Sequence, residues 1–331
     1  MIAKLDSPLK PLLDEDSSLG LVTDPAVLGT GAPRVPPGPL GEILEAFPFR
    51  VSQSFLARAI PGDPLWLQFV PQAAETDPAG TADPLNEQTQ LASPRLICKY
   101  AGRALLLAGT ECSIHCRYCF RRHFPVHEQA RADPDMKAAL ALLRSDPNIR
   151  EIILSGGDPL TLSRDRLASL CGRLDAIPHL ATLRIHSREP VVRPRRTGPA
   201  LLSALNRFSR RRVLVIHANH AREITPAVVR ALQGFRASGF HLLNQSVLLA
   251  GVNDDPERLV DLSETLFSAG VLPYYLHQLD PVQGSAHFAV TDAKARHIHR
   301  ELRARLPGYL VPRLVREIPG APAKTPLEDC T

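Results

Sequence analysis

Lysine is scarce in this 331-residue chain: Lys4, Lys10, Lys99, Lys137, Lys294 and Lys324 are the only six among 39 basic residues, leaving 33 arginines. The bias belongs to the composition as a whole, and it makes every position that keeps a primary amine informative. Long apolar runs are missing too. No stretch approaches the roughly 20 apolar residues that cross a bilayer as a helix, so a membrane partner is not expected. The opening MIAKLDSPLKPLLDEDSS brings in acids early and has no uninterrupted apolar core, unlike a secretory signal. No internal repeat or low-complexity segment is evident. The net charge of +5 is concentrated in basic runs at 193–196 and 207–212. Aromatic residues are not interleaved with these runs as a nucleic-acid platform requires. The runs read as solvated edges of helices and loops, and no nucleic-acid partner is expected.

At 36.2 kDa the chain is long enough for two domains, or for one barrel with an extension. Residues 1–95 are rich in Pro, Asp and Gly and break into short helical pieces at 40–47 and 52–60. This part is expected to be an irregular, mostly helical N-terminal region. From residue 96 short β-branched or Leu-rich runs alternate with amphipathic stretches. The predicted strands are 104–108, 151–154, 182–186, 213–217, 242–248 and 273–279. The predicted helices are 134–145, 164–175, 199–209, 226–238, 256–269 and 291–303. Asp133-Pro134, Thr225-Pro226 and Asp255-Pro256 each place a capping residue before a proline, a helix-start signal. Six βα units without a long apolar parallel-sheet core predict an α/β fold, a partial (β/α)6 TIM-like barrel over 96–311. An open doubly wound sheet is the structural rival. Residues 312–331 are expected to form an extended tail across the barrel mouth, where the chemistry of such barrels gathers.

Three of the six cysteines, Cys112, Cys116 and Cys119, fall within eight positions in the run CSIHCRYCF. Thiolates bind zinc or iron–sulfur clusters, which usually take four protein ligands. Three cysteines suit a 4Fe–4S cluster with one iron open to the amino and carboxylate groups of S-adenosylmethionine (SAM). An incomplete zinc knuckle or three unrelated thiols are the alternatives. Cluster-forming thiols, three dispersed cysteines and no export signal suggest a reducing cytoplasm. The CxxxCxxC spacing, with an aromatic and arginines after it, resembles the radical-SAM superfamily. Ser155-Gly156-Gly157-Asp158-Pro159 follows the second predicted strand. Alone it is an ordinary turn; behind such a cysteine loop it resembles the element, Gly156, Gly157 and Asp158, that holds the SAM amino group. Near the C-terminus, EIPGAPAKTP at 317–326 sets Lys324 on a segment that Gly320 and three prolines keep irregular. A lysine there can bind pyridoxal 5′-phosphate (PLP) through an imine, which arginine cannot do.

Taken together, the cysteine loop, GGDP and the C-terminal lysine resemble the lysine 2,3-aminomutase family, PLP-dependent radical-SAM enzymes. The likeness runs from about Lys99 to Pro326 and includes CRYCFRRHFP, LSGGDPL, LRIHSREPVV, LLNQSVLLAGVND and PYYLHQLDPVQGSAHF. It is closest to the shorter branch that makes (R)-β-lysine for elongation factor P. The resemblance implies a radical-SAM barrel that converts L-lysine to β-lysine, with a 4Fe–4S cluster, SAM and PLP as cofactors. It implies Cys112, Cys116 and Cys119 as cluster ligands and Lys324 as the PLP lysine. Tyr100 and Arg103 would bind PLP, with Arg103 on its phosphate. His217 and Gln245 would lie near SAM. Arg121 would clamp the substrate carboxylate, and Asp280 and Glu317 would hold its side-chain ammonium. An electron donor of flavodoxin or ferredoxin type, and a functional link to elongation factor P and its ligase, follow from the same resemblance.

The chain departs from the longer aminomutases in two ways. It stops seven residues after Lys324, without their cysteine-bearing metal-binding extension, and Asp255 stands where they carry a cysteine. Structural zinc is therefore not expected. Cys98 and Cys171 read as buried structural residues and Cys330 as a lone tail thiol. The rival functions are another radical-SAM activity, such as RNA modification or a different amino-acid mutase, and a non-catalytic iron–sulfur interaction protein.

Overall fold

A computed structural model describes residues 20–31 and 37–329. The first 19 residues of the expected N-terminal region, and Cys330, lie outside the described residues.

The β-branched and leucine runs form the strands of one ten-stranded sheet. Its parallel part comprises β5 (Arg103–Gly109), β6 (Glu151–Gly156), β7 (Thr182–Ser187), β8 (Arg211–Ile216), β9 (Phe240–Val247), β10 (Leu272–His277) and β11 (Arg313–Arg316). Two antiparallel strands, β3 (Leu91–Ser93) and β4 (Leu96–Tyr100), extend one edge, and β12 (Thr325–Pro326) extends the other. A separate small pair, β1 (Leu21–Val22) and β2 (Val51–Ser52), lies in the N-terminal region. The terminal strands β3 and β12 do not pair with each other, so the barrel is partial and has a seam. The stretch expected as an extended tail thus begins as a seventh parallel strand.

The helices are α1 (Pro37–Ala46), α2 (Gln53–Leu56), α3 (Val126–Ala132), α4 (Lys137–Ser145), α5 (Arg164–Asp175), α6 (Glu189–Val192), α7 (Pro199–Leu205), α8 (Pro226–Ala237), α9 (Pro256–Ser268) and α10 (Asp292–Arg305). Thr225 and Asp255 cap α8 and α9 as their sequence context predicts, accepting from Val228 N and Glu257 N respectively. The helix expected over 134–145 is present as α4 with its end at Ser145, but it starts three residues later than Pro134, and α3 before it was not expected. Asp133 acts at longer range, its carboxylate accepting from the backbone of Lys137 (2.7 Å) and Ala139 (3.2 Å). That delays the start of α4 past Met136, which sits in the left-handed region at φ 57°. The helical piece expected at 52–60 shrinks to the single turn of α2.

Side-chain alternation explains what the barrel can hold. In β7, Leu183, Ile185 and Ser187 are buried, while Arg184 and His186 between them are only partly so. Leu183 and Ile185 share one continuous core with Leu167, Leu170 and Leu174 of α5 and Leu201 and Leu205 of α7. Period-2 geometry sends the intervening residues to the opposite, inner face. The aliphatic side of the sheet is thereby used against the helices, and the inner side keeps polar groups. The basic runs are solvated edges only in part: Arg195, Arg207 and Arg211 are exposed, while other arginines fold back onto the chain. Arg196 donates to the Thr161 carbonyl (2.7 Å), Arg210 to those of Asp175 and Leu180, and Arg212 to that of Ser238 (2.8 Å). Among the described residues no helix is long and apolar enough to cross a membrane.

Replacing Asp255 by Ala removes the α9 cap while leaving the barrel interior untouched. Urea denaturation should show a loss of about 1 kcal/mol, with iron and PLP content after reconstitution unchanged.

Candidate functional site

Immediately after β5 the chain enters the cysteine loop, which N-terminal residues pin from outside. His115 N donates to the Arg50 carbonyl and Arg117 N to that of Gln68, both at 2.9 Å. The Arg117 guanidinium, fully buried, grips Glu75 through Nε (2.9 Å) and Nη2 (2.5 Å). Arg122 reaches the same carboxylate at 2.8 Å. A buried carboxylate shared by two guanidiniums is a strong, geometrically exact clamp. Glu75 therefore fixes both ends of Cys116–Cys119, a role the sequence alone did not disclose.

On the barrel side, the loop packs against the turn after β6. Gly157 N donates to the Gly109 carbonyl (2.9 Å) and Asp158 N to that of Glu111 (2.8 Å). A Cβ at Gly157 would come within 2.7 Å of the Glu111 carbonyl oxygen, and one at Gly156, which sits at φ +108°, within 2.5 Å of that of Gly109. The paired glycines are thus required by the approach of the cysteine loop itself. The Asp158 carboxylate is engaged by its own chain. It accepts from Ser187 Oγ (2.7 Å), Leu160 N (2.9 Å), Arg188 N (2.7 Å) and Glu189 N (3.0 Å). It ties β6 to β7 and has little capacity left for a ligand.

All three loop thiols are free. Burial pushes the Cys119 thiol up to about 11, with Cys116 adding to the effect. It pushes Cys112 well up too, helped by Asp158. A cysteine binds metal as its thiolate, and an iron–sulfur cluster would supply the positive charge that offsets this burial. Among the described residues no three His, Cys, Asp or Glu side chains converge on a single ion position. Thiolates on separate irons of a cluster do not converge either. The donor set, three soft sulfurs on a loop clamped from both sides, fits such a cluster.

Behind the loop lies a buried polar network. Arg188, which follows β7, donates from Nη1 to Cys116 Sγ (2.8 Å) and Tyr118 Oη (2.9 Å), and from Nη2 to Gln68 (2.6 Å) and Glu223 (2.8 Å). His217, one residue past β8, is held neutral: burial, then Arg188, pushes it down to about 3. Its Nδ1 lies 2.9 Å from the Gln245 carbonyl and its Nε2 lies 2.8 Å from Tyr118 Oη. A neutral ring that donates through Nδ1 and accepts through Nε2 satisfies both contacts. His217 and Gln245 are therefore brought together next to the cysteine loop, with Gln245 contributing its backbone oxygen. Arg188, Gln68 and Glu223 were missed in the sequence because nothing local distinguishes them from other interior polar residues.

At the seam the remaining site residues meet. Lys324 Nζ pairs with Glu317 Oε2, and Lys99 Nζ reaches Glu317 Oε1 at 2.6 Å and Glu87 Oε1 at 3.0 Å. Arg121 holds Glu87 through Nε (2.6 Å) and Nη2 (2.8 Å) and donates from Nη1 to Ser155 Oγ (2.9 Å). Lys99 is on β4 and Glu317 directly follows β11, each one strand in from an end of the sheet, so this ion pair joins the two ends across the seam. Burial opposes the Glu317 charge, but Lys324 and Lys99 override it and hold its carboxyl below the usual range. Asp280 differs: burial first, and then the charge of Glu317, push it up to about 7. Tyr100 is raised by burial and by its hydrogen bond with Glu317. Arg103 lies over the Tyr100 ring at 4.6 Å, at the hairpin joining β4 to β5. A cavity of about 400 Å³ opens here, lined by Leu85, Asn86, Lys99, Tyr100, Glu317 and Ala321. Cys98, expected to be a buried structural residue, lines it as well and is only half-buried; Cys171 is buried as expected.

The Lys324 amine and, near the same seam, the Tyr100 hydroxyl with Arg103 over its ring are a donor set that fits an aldehyde-bearing phosphate cofactor. His186, whose buried Nε2 has no partner, lies near Lys324 and Arg121. Gly157→Ala should disrupt the contact between turn and cysteine loop. Iron bound after anaerobic reconstitution is expected to fall by more than half, while the far-UV circular dichroism spectrum stays that of the parent.

Comparison with known proteins agrees with this arrangement. Residues 107–263 match the family model of the radical SAM superfamily. The chain is 47% identical over 287 residues to an L-lysine 2,3-aminomutase of Escherichia coli, covering 85% of this chain and 84% of that protein. It is 44% identical to an L-lysine 2,3-aminomutase of Haemophilus influenzae, with 84% of each chain covered. An L-lysine 2,3-aminomutase of Clostridium subterminale is 38% identical across 81% of this chain, which spans 65% of that longer relative. Cysteine loop, glycine turn and seam lysine stand in one barrel, in a chain that shares nearly half its residues with such enzymes over most of its length: it belongs to the lysine 2,3-aminomutase family of the radical SAM superfamily.

Proposed function

We propose that the protein converts L-lysine to (R)-β-lysine using a 4Fe–4S cluster, SAM and PLP, and that the product serves to modify elongation factor P. The observation that carries this reading is the seam. There a primary amine, a carboxylate-binding arginine and two acids meet inside the barrel whose mouth carries the three thiols. When bound, the cluster with SAM supplies one-electron chemistry, and PLP at Lys324 supplies a conjugated π-system through which an amino group can migrate.

The chain's own residues would bind and orient. Cys112, Cys116 and Cys119 would hold three irons, and the turn at Gly156 and Gly157, with Asp158 bracing it, would set the height of SAM above the loop. His217, neutral and fixed between Tyr118 and Gln245, would wall that side. Tyr100 and Arg103 would take the PLP phosphate end. Glu87 occupies one edge of the Arg121 guanidinium, which leaves one N–H on each terminal nitrogen for the substrate carboxylate. Asp280 and Glu317 would take the side-chain ammonium, which selects lysine over acidic or neutral amino acids. With substrate and cofactors in place, the lumen would be filled and would exclude water from a reactive intermediate. Free lysine would be the substrate, as the family favours, and the electron donor would be a flavodoxin or ferredoxin type. A reducing cytoplasm is the compartment that suits an oxygen-sensitive thiolate site.

Lys324→Ala should abolish the PLP absorbance of the reconstituted protein and all lysine turnover while leaving iron content intact; loss of iron would place the lysine and the thiols in one interdependent site. Asp280 gives the pH dependence. Its carboxyl is neutral below about 7 and charged above it, and only the charged form attracts an ammonium. Lysine affinity should therefore strengthen as pH rises through 7, with proton release measurable by calorimetry in buffers of different ionisation enthalpy. Asp280→Asn should flatten that profile and cost about 2 kcal/mol, roughly a 30-fold rise in lysine Kd.

A further inference from the structure

We infer that Glu87 and Lys99 set the separation between the two ends of the substrate pocket, and so select the amino acid by side-chain length. The inference rests on the lysine reading above and adds two residues to it. Arg121, at the carboxylate end, is joined to Glu317, at the ammonium end, by an unbroken line of charges: Arg121 to Glu87, Glu87 to Lys99 (3.0 Å), and Lys99 to Glu317 (2.6 Å). None of the four side chains is more than 13% exposed.

Each member is anchored by a different part of the fold. Glu87 sits in a turn whose backbone is held by Asp83, which accepts from Glu87 N and Gln88 N at 3.0 Å each. Lys99 lies on β4, which pairs with β5. Arg121 is on the clamped cysteine loop, and Glu317 directly follows β11. With the backbones fixed, the reach of two side chains, Glu87 and Lys99, defines how far apart the carboxylate clamp and the acid are held. Desolvating four charges is costly, and an apolar filling of the same volume is often at least as stable. A line of charge here is explained by position and specificity better than by stability. Lys99 is also one of only six lysines beside 33 arginines. A compact ammonium on a four-carbon stem can sit between Glu87 and Glu317, whereas the planar fork of arginine imposes different spacing.

The test uses PLP-loaded protein with SAM withheld, so that binding is read without turnover. Dissociation constants for L-lysine and for L-ornithine, one methylene shorter, are measured by calorimetry. Glu87→Asp shortens the bridge by one methylene and should shift the ratio of the two constants towards ornithine by about tenfold, the lower end of what one methylene is worth in a fitted pocket. Lys99→Met cuts the bridge and should shift the ratio in the same direction with PLP occupancy retained. Equal weakening of both ligands in both variants would indicate a merely structural pair and overturn the inference. So would loss of PLP from Lys99→Met, which would make Lys99 a cofactor ligand. L-Norleucine, which lacks the ammonium, separates the two levels. Parent protein that binds norleucine as well as lysine would remove the lysine reading and this inference with it. A parent preference for lysine with unchanged ratios in the variants would remove the inference alone.

Discussion

Inside this barrel every buried charge has to find its opposite, and much of the architecture follows from that constraint. Glu75 answers Arg117 and Arg122, Glu223 answers Arg188, and Glu87 and Glu317 answer Arg121, Lys99 and Lys324. Removing one member of a buried pair leaves the other uncompensated, at about 3–5 kcal/mol, a large share of the 5–15 kcal/mol that typically holds a domain together. Three of the residues that meet these charges, Gln68, Glu75 and Glu87, come from the irregular segment before β3. That segment is thereby a functional part of the barrel: without it the arginines flanking the thiols and lining the pocket would have no counter-charge.

The same constraint reconciles a polar lumen with a stable fold. The aliphatic faces of the strands are spent on the outer helices, in a single core that runs from Phe49 to Leu327. The inner faces keep Ser155, His186, His217 and His277, with burial driving the three imidazoles neutral. Neutral imidazoles in a lumen that already balances several full charges add hydrogen-bonding capacity without adding charge. Asp280 is one acid for which that balance falls short: burial, then the charge of Glu317, displaces its carboxyl to the neutral range. That displacement is what the proposed role of Asp280, a partner for the substrate ammonium, would use.

Much of this was legible in the chain. Residues 164–175 form a helix with the boundaries expected of it, and all six predicted strands are present, because their signals are local: periodicity, a capping residue, a following proline. The cysteine loop, the glycine turn and the seam lysine were legible because their residue types are chemically unusual at that spacing. The strands at the sheet edges were not. β3, β11 and β12 are two to four residues long and exist through their pairing partners, which no local window contains. Glu75, Glu87 and Lys99 were illegible for a related reason: lone charges in irregular or edge segments look solvated until the tertiary fold places them against an arginine or an acid. Asp158 shows the reverse. Its motif pointed to a ligand, yet four donors from its own chain already occupy the carboxylate, and the fold assigns it to holding β6 and β7 together.

The most direct test of the central claim is turnover. Protein reconstituted anaerobically with iron, sulfide and PLP is given SAM, dithionite and L-lysine, and the products are separated by chiral chromatography. The proposed chemistry predicts (R)-β-lysine that disappears when either SAM or PLP is left out. An intact cluster and bound PLP with no β-lysine formed would contradict it, and would mean that this barrel holds its cofactors for a different amino acid.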